Sequence, residues 1–117
     1  MSSLVIQEAT QRAAELRSAL AARVVIAGGA MGTMLQGSDA TPEDFDGYAG
    51  CHEVLNATRP DIIRDIHRAY FEVGADCVTT NTFGANLTNL GEYGIGDRAG
   101  ELSQAGARLA REVADEF

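Results

Sequence analysis

The sequence predicts an α/β fold in which two parallel strands, each followed by a helix, form the first two units of a larger (βα)8 barrel. Short runs rich in β-branched residues, at positions 24–27 and 77–80, have the length of buried strands. A helical periodicity separates the two runs, as it does in a βαβ unit. Each run ends in a polar stretch that contains glycine, which is typical of the strand ends that carry ligands in parallel α/β folds.

A first helix is predicted before these strands, at about residues 7–22. Ala9, Ala13, Leu16 and Leu20 recur there at steps of three and four residues. Because this helix precedes the first strand, we expect it to pack across one end of the sheet or barrel.

A second helix is predicted as the right-handed crossover between the strands. Pro60 suits its first position, Asp61 lies at the positive end of its dipole, and Gly74 supplies a left-handed stop. We expect His67 at the helix surface or partly buried, pointing away from both strand ends, and so not acting as a base. The residues expected on the apolar stripe are Ile62, Ile63, Ile66, Ala69, Tyr70 and Val73.

The second strand is followed by a loop-rich stretch, residues 86–96, and by a last helix that begins at Asp97. The residues expected on the buried side of this helix are Leu102, Ala105, Leu109, Ala110 and Val113. Two parallel strands cannot cover both edges and both faces of their own sheet, and a complete TIM barrel takes eight βα units in about 250 residues. We therefore predict that residues 1–117 are the N-terminal portion of a TIM (βα)8 barrel domain, preceded by one helix and incomplete.

The chain has a net charge of −8, and its nine basic residues are all arginine. An acidic balance without a basic cluster argues against a nucleic-acid or anionic-membrane partner, and no apolar run approaches the ~18 residues that cross a bilayer. The first residues lack the basic region of a secretory signal. Two cysteines make no disulfide framework, so a cytoplasmic location is predicted.

A long connection, residues 36–57, holds five carboxylates and no arginine or lysine. Loops of this length often cover or line a site; the alternative is a solvated acidic excursion. Cys51 and His52 are neighbours in this connection, but adjacent residues seldom hold one ion together, and the usual spacing of zinc ligands is missing. The sequence therefore predicts no metal site made from this chain alone.

The candidate binding site lies where the two strands end. We name residues 28–33 the first exit and residues 79–86 the second exit, because parallel pairing would place them side by side. Their backbone amides and hydroxyls are expected to approach a ligand; the alternative is that they make turns and tie loops together. No catalytic residue is predicted. The predicted binding residues are Gly28, Gly29, Ala30, Thr33, Thr79, Thr80 and Asn81.

Six specific motifs are spread over nearly the whole chain. They are residues 29–33 (GAMGT), 47–56 (GYAGCHEVLN), 58–63 (TRPDII), 66–70 (IHRAY), 74–76 (GAD) and 80–86 (TNTFGAN). Together they resemble the N-terminal part of the cobalamin-dependent methionine synthase family, whose first module is similar to other homocysteine S-methyltransferases.

The resemblance implies that this chain begins a homocysteine-binding barrel. The full-length enzymes of the family transfer a methyl group from methyltetrahydrofolate, through cobalamin, to homocysteine, which gives methionine. In the family, zinc held by three cysteines keeps the homocysteine thiol deprotonated and nucleophilic. Those cysteines belong to later strands, and neither Cys51 nor Cys77 matches one.

Several expectations about partners and cofactors follow from the resemblance. The partners implied are homocysteine, the remaining barrel, and the cobalamin and folate modules of a longer chain. Zinc and methylcobalamin are implied for the full-length family, and no cofactor is expected on this chain alone. Because the zinc cysteines are absent, the chain by itself is expected to be inactive.

The chain departs from the family pattern at two strand ends. Gly28 stands where the family usually has aspartate, and Thr79 stands where it usually has glutamate. The resemblance places these carboxylates where they would receive the ammonium group of the substrate. Their loss supports a second hypothesis, a degenerate and non-catalytic relative that binds a ligand or a partner. A free-standing nucleotide-binding module is disfavoured, because the GxGxxG and P-loop patterns are missing.

Overall fold

A computed structural model describes residues 2–117 of the chain. Its first element, α1, spans Ser3–Ala22 and begins earlier than the sequence predicts, because the Ser2 side chain accepts a hydrogen bond from the Val5 N–H and caps the helix. None of the residues of α1 is buried, and Leu16 and Leu20 are 48% and 59% exposed. The apolar side of this helix therefore lacks a covering layer within the described residues.

The acidic connection is structured along its length. It follows the short helix α2, Gly32–Gln36, and contains two 3₁₀ turns, Pro42–Phe45 and His52–Val54, and the short helix α3, Leu55–Thr58. The part before Cys51 is mostly exposed, as a solvated excursion would be, but the six residues from 51 to 56 are buried apart from a half-buried His52. The hypothesis of a solvated excursion is therefore wrong for this last part.

Helix α4, Pro60–Glu72, is the crossover helix that the sequence predicts. Pro60 occupies its first turn, and Gly74 adopts the left-handed conformation (φ +101°) just after its end. Two expectations about its faces are wrong. Val73 is 84% exposed, because it follows the last helical residue and leaves the stripe, whereas His67 is fully buried at 0% exposure.

The stretch between the second exit and the last helix also differs from the prediction. Instead of a loop it contains helix α5, Leu87–Glu92, whose first turn is capped by the Asn86 side chain accepting a hydrogen bond from the Asn89 N–H at 2.8 Å. A 3₁₀ turn, Gly96–Arg98, then leads into α6, Ala99–Ala114.

The buried apolar side chains form two clusters. The first joins α4 to α6 and α2, and its members are Leu35, Leu55, Ile62, Ile63, Ile66 and Leu109. The second lies under the turn that precedes α3, under α5 and under the start of α6, and its members are Cys51, Val54, Leu90, Ile95 and Leu102. The ion pairs Arg64–Glu112 and Arg68–Glu116 cross the solvent side of the α4–α6 contact, at 3.0 and 2.9 Å.

The two predicted strands meet at one point. Within the described residues, β pairing consists of a single parallel bridge between Ala27 and Cys77. This is the direction that the sequence predicts for the pair, while the (βα)8 barrel itself stays a prediction. None of the described helices combines the length and apolar character that a membrane-spanning helix requires.

Candidate functional site

The bridge brings the two exits together. On the exit side of the bridge, the Gly28 N–H donates to the Cys77 carbonyl at 2.7 Å, and on the other side the Asp76 N–H donates to the Ile26 carbonyl at 2.8 Å. The Asp76 carboxylate also accepts from the Ile26 N–H, and its ion pair with Arg23 holds the pKa of Asp76 below its usual range. The start of both segments is therefore held in register, and the exits leave from neighbouring points.

Tyr70 of α4 supports the first exit. Its hydroxyl donates to the Ala30 carbonyl at 2.6 Å, and a Cβ built at Gly29 would lie 3.0 Å from that hydroxyl oxygen. A Cβ at Gly28 would lie 3.3 Å from both Tyr70 Cγ and Val78 Cγ1. Gly28 and Gly29 thus make room for the tyrosine ring, and neither has a positive φ.

Three of the remaining residues of the first exit are open to solvent, while Met31 and Gly32 are half-buried. Gly29, Ala30 and Thr33 are exposed, and Thr33 lies in the first turn of α2. The N–H groups of Gly29 and Ala30 donate to no partner within residues 2–117. The first exit therefore presents two amides and one hydroxyl that a ligand can reach.

At the second exit the predicted binding residues fall into two groups. Thr79 is exposed, so its hydroxyl can reach a ligand. Thr80 is half-buried and shares a hydrogen bond of 2.6 Å with the Thr82 hydroxyl. Asn81 is only 5% exposed, and its side-chain amide donates to the His52 carbonyl at 2.9 Å and to Asn56 Oδ1 at 3.0 Å. Thr80 and Asn81 therefore tie loops together, as the alternative in the sequence analysis describes.

A buried pair of asparagines joins the second exit to two helices. Asn56 of α3 donates to the Asn81 carbonyl at 2.8 Å and to the Leu102 carbonyl of α6 at 3.1 Å, while its own Oδ1 accepts from Asn81. Gly106 lets α6 come this close, because a Cβ there would lie 2.6 Å from Thr82 Cγ2 and 2.8 Å from Asn56 Nδ2. The pair satisfies polar groups that would otherwise be buried without partners.

A buried carboxylate holds the middle of the second exit. Glu53 is 7% exposed, and its Oε1 accepts a hydrogen bond from the Gly84 N–H at 2.7 Å. The Gly84 carbonyl accepts from the Asn89 side chain at 2.9 Å, and Ser103 donates to the Ala85 carbonyl at 3.3 Å. Phe83 comes just before these fixed points, and its side chain is fully exposed.

Sequence reasoning missed the residues that support the exits. Besides Asn89 and Ser103 they are Glu53, Asn56, Tyr70 and His52, and the His52 ring lies 3.4 Å from a Cβ position at Gly32. Polar Glu53 and Asn56 flank the apolar pair Val54 and Leu55 at the start of α3, and a solvated loop would not place such an apolar pair there. This pattern was the available signal. Tyr70 was predicted only as part of the apolar stripe of α4.

Neither cysteine lies in a metal-binding arrangement. Cys51 is 1% exposed, and burial raises the pKa of its thiol, which favours the neutral form. Cys77 is exposed at the bridge. Among the described residues, no three histidine, cysteine, aspartate or glutamate side chains approach closely enough to hold a metal ion. The residues present do not fit a zinc ion.

One cleft lies away from the exits. It measures about 640 Å³ and opens between α1, the bridge residues and the C-terminal half of α6. Leu16, Phe71 and Phe117 are among the apolar side chains that line it. Residues 28–33 and 79–86 contain no charged side chain, so the exits offer a ligand only backbone amides, hydroxyls and apolar contacts.

Comparisons with known proteins match most of the chain. The family model for homocysteine S-methyltransferase matches residues 25–117, which includes both exits. The methionine synthase of Mycobacterium tuberculosis is 58% identical over 103 residues, which are 88% of this chain and 9% of that protein. The methionine synthase of Mycobacterium leprae is 56% identical over 103 residues, or 88% of this chain and 8% of that protein. The chain thus spans only a small part of the length of these relatives.

Proposed function

This chain belongs to the homocysteine S-methyltransferase family, and on that premise we propose that it supplies the N-terminal portion of the homocysteine-binding barrel of a methionine synthase. The complete enzyme would transfer a methyl group from methyltetrahydrofolate, by way of cobalamin, to the sulfur of homocysteine. The zinc and the methylcobalamin would be held by the rest of a longer chain, since the described residues do not fit a zinc ion.

One observation carries the proposal for this segment. The parallel bridge between Ala27 and Cys77 sets the two exits side by side, and the match to the family covers both of them. Ligands of parallel α/β folds bind at this end of the strands. The amides of Gly29 and Ala30 and the hydroxyls of Thr33 and Thr79 would then bind the amino-acid end of homocysteine.

A second candidate function is a non-catalytic relative that binds a ligand or partner. The observation in its favour is that both exits lack charge, with Gly28 and Thr79 at the positions where the family resemblance places carboxylates. A charge-assisted hydrogen bond to an ammonium group contributes about 1.5–3 kcal/mol. Without both carboxylates, homocysteine affinity would fall by roughly a hundredfold or more.

A chimera separates the two candidates. In it, this chain replaces the matching 103-residue segment of the Mycobacterium tuberculosis methionine synthase. We expect methionine formation with a KM for homocysteine raised about a hundredfold over the parent. A chimera that folds and yet forms no methionine, even with both carboxylates restored, would favour the non-catalytic relative.

The structure predicts which restored carboxylate helps more. Thr79→Glu adds a longer side chain at an exposed position and needs no rearrangement. Gly28→Asp places a Cβ 3.3 Å from Tyr70 and Val78, so both side chains must shift by a few tenths of an ångström. Of the two single variants of the chimera, Thr79→Glu should therefore lower the KM for homocysteine more than Gly28→Asp.

A further inference from the structure

Glu53 is buried without a basic partner. Its side chain forms no ion pair with any arginine or histidine in the described part of the chain. Its two polar contacts are the Gly84 N–H at 2.7 Å from Oε1 and the Cys51 thiol at 3.8 Å from Oε2. Burying a carboxylate is unfavourable unless its contacts compensate. The contact that compensates best is the Gly84 amide, because it is closer than the Cys51 thiol and a thiol is a weak donor.

The hydrogen bond between Glu53 and the Gly84 N–H requires glycine at position 84. A Cβ built at Gly84 would lie 2.5 Å from Glu53 Oε1 and even closer to the Asn89 side-chain amide. Any other residue at position 84 would push the carboxylate off the backbone. Glu53 and Gly84 are therefore matched, although 31 positions separate them in the sequence.

The contact fixes the peptide at the middle of the second exit. Thr79 and Thr80 precede Gly84, and the fully exposed Phe83 is its neighbour. Both polar backbone groups of Gly84 are occupied by side chains of different elements, Glu53 from the turn before α3 and Asn89 from α5. Residues 80–86 are consequently held in one conformation before any ligand arrives, which lowers the entropic cost of binding.

We propose that Glu53 is a positioning residue, which through the Gly84 N–H holds the second exit in the conformation that receives homocysteine. The proposal rests on the proposed function, since it takes homocysteine as the ligand of the exits. Glu53 itself faces the buried Cys51 thiol and does not contact the ligand.

The test has two parts with the same variants, Glu53→Ala, Glu53→Gln and Gly84→Ala, and with Glu8→Ala on the exposed face of α1 as the matched control. In this chain, NMR measures hydrogen exchange of the Gly84 amide relative to amides within α4. We expect about tenfold faster exchange at Gly84 in Glu53→Ala, with the α4 amides unchanged. Glu53→Gln keeps an oxygen acceptor and should restore most of the protection.

In the second part, the chimera carries the same variants. Glu53→Ala and Gly84→Ala should raise the KM for homocysteine about tenfold, while kcat and the KM for the methyl donor stay near the values of the unsubstituted chimera. Glu53→Gln should recover most of the homocysteine KM. A merely structural role would instead lower the amount of active enzyme, hence kcat, without a selective effect on one substrate.

Three results would overturn the proposal. Exchange that rises equally at Gly84 and throughout α4 means that Glu53 stabilises the whole fold and positions nothing. Faster exchange of the Gly84 amide together with an unchanged KM for homocysteine means that the second exit does not need the Glu53–Gly84 hydrogen bond to receive homocysteine. An unsubstituted chimera without homocysteine-dependent activity removes the proposed function and this role with it; the exchange data from the chain still show whether the hydrogen bond itself exists.

Discussion

The two exits differ in how many side chains of other elements form hydrogen bonds to them. Three of the six residues of the first exit are exposed, and among the described residues one tyrosine hydroxyl, bonded to the Ala30 carbonyl, is the side chain that forms a hydrogen bond to it. The second exit is held by side chains from the turn before α3, from α3, from α5 and from α6. Those side chains are Glu53, Asn56, Asn89 and Ser103.

This difference separates two ways of building a binding segment. The second exit is preorganised, because its backbone groups are bonded to buried or half-buried side chains within the described residues. The first exit keeps the Gly29 and Ala30 amides available, and it can adjust to a ligand or to a neighbouring strand. In a site that combines a fixed side with an adjustable one, the fixed side, here the second exit, receives the ligand without rearranging. The adjustable side, here the first exit, then closes on it.

The largest effect is expected from breaking the asparagine pair behind the second exit. Asn56→Ala leaves the Asn81 carbonyl, the Leu102 carbonyl and the Asn81 side-chain amide without this partner. The Leu102 carbonyl keeps the backbone bond of α6, and the Asn81 amide keeps its bond to the His52 carbonyl. The Asn81 carbonyl and one hydrogen of the Asn81 amide lose their partner outright, at about 1–3 kcal/mol each, so the free energy of unfolding should fall by about 2 kcal/mol or more. Urea unfolding followed by circular dichroism measures this loss.

Gln104→Ala is the matched control for this variant, because it removes an exposed side-chain amide from α6. The control should change the free energy of unfolding by less than about 0.5 kcal/mol. If Asn56→Ala were as mild as Gln104→Ala, the second exit would not depend on the buried pair, and the contrast between the exits would disappear.

The next effect comes from pH and acts through α4, the helix that carries Tyr70. His67 is fully buried, neither ring nitrogen has a hydrogen-bond partner among the described residues, and burial lowers the pKa of its ring. The unfolded chain takes up a proton near the ordinary pKa of 6.5 while the folded chain does not. The stability is therefore fully present above about pH 6.5 and is lost as the pH falls below it, by at most about 1.4 kcal/mol per pH unit.

His67→Leu should flatten this dependence between pH 7 and 5. Five carboxylates have a pKa lowered by a partner, but their contribution to stability is lost only as the pH falls below their ordinary pKa values of 3.8 and 4.5. For Asp44 the main cause is a hydrogen bond from the Thr41 N–H; for the others it is an arginine partner, and they are Asp61, Asp76, Glu101 and Glu116. His52→Asn is the control, because it removes the other histidine of the chain and leaves His67 in place. A profile that flattens in His52→Asn and not in His67→Leu would show that the buried ring of α4 is not the cause.

Local sequence rules predicted α4 well and the supports of the second exit poorly. Pro60, Asp61 and Gly74 fix the ends of α4 through the backbone of their own neighbours, so a short window of sequence contains the information. The burial of Glu53 depends on a glycine 31 residues away. No composition rule distinguishes such a carboxylate from its solvated neighbours in the same acidic connection.

Two other differences could have been found in the sequence. Asn86 precedes α5 and is a favoured capping residue, but the glycines at 91, 94 and 96 suggested a loop. His67 lies four residues after Ile63, on the same face of α4, which indicates burial by the spacing that identified the stripe. By contrast, the Tyr70 hydroxyl bond to a carbonyl 40 residues earlier depends on the tertiary fold.

The smallest effect tests the first exit directly. Tyr70→Phe removes the hydroxyl that donates to the Ala30 carbonyl at 2.6 Å and leaves the ring that packs against Gly28 and Gly29. One neutral hydrogen bond at a half-exposed position contributes about 1 kcal/mol, so unfolding should become easier by that amount. Tyr48→Phe is the control, because Tyr48 is half-buried and packs by its ring against Tyr93 at 6.4 Å. Faster amide exchange confined to residues 28–33 in Tyr70→Phe would show that one hydroxyl holds the first exit, whereas an effect that extends to Gly84 would mean that the two exits are coupled and do not behave as separate segments.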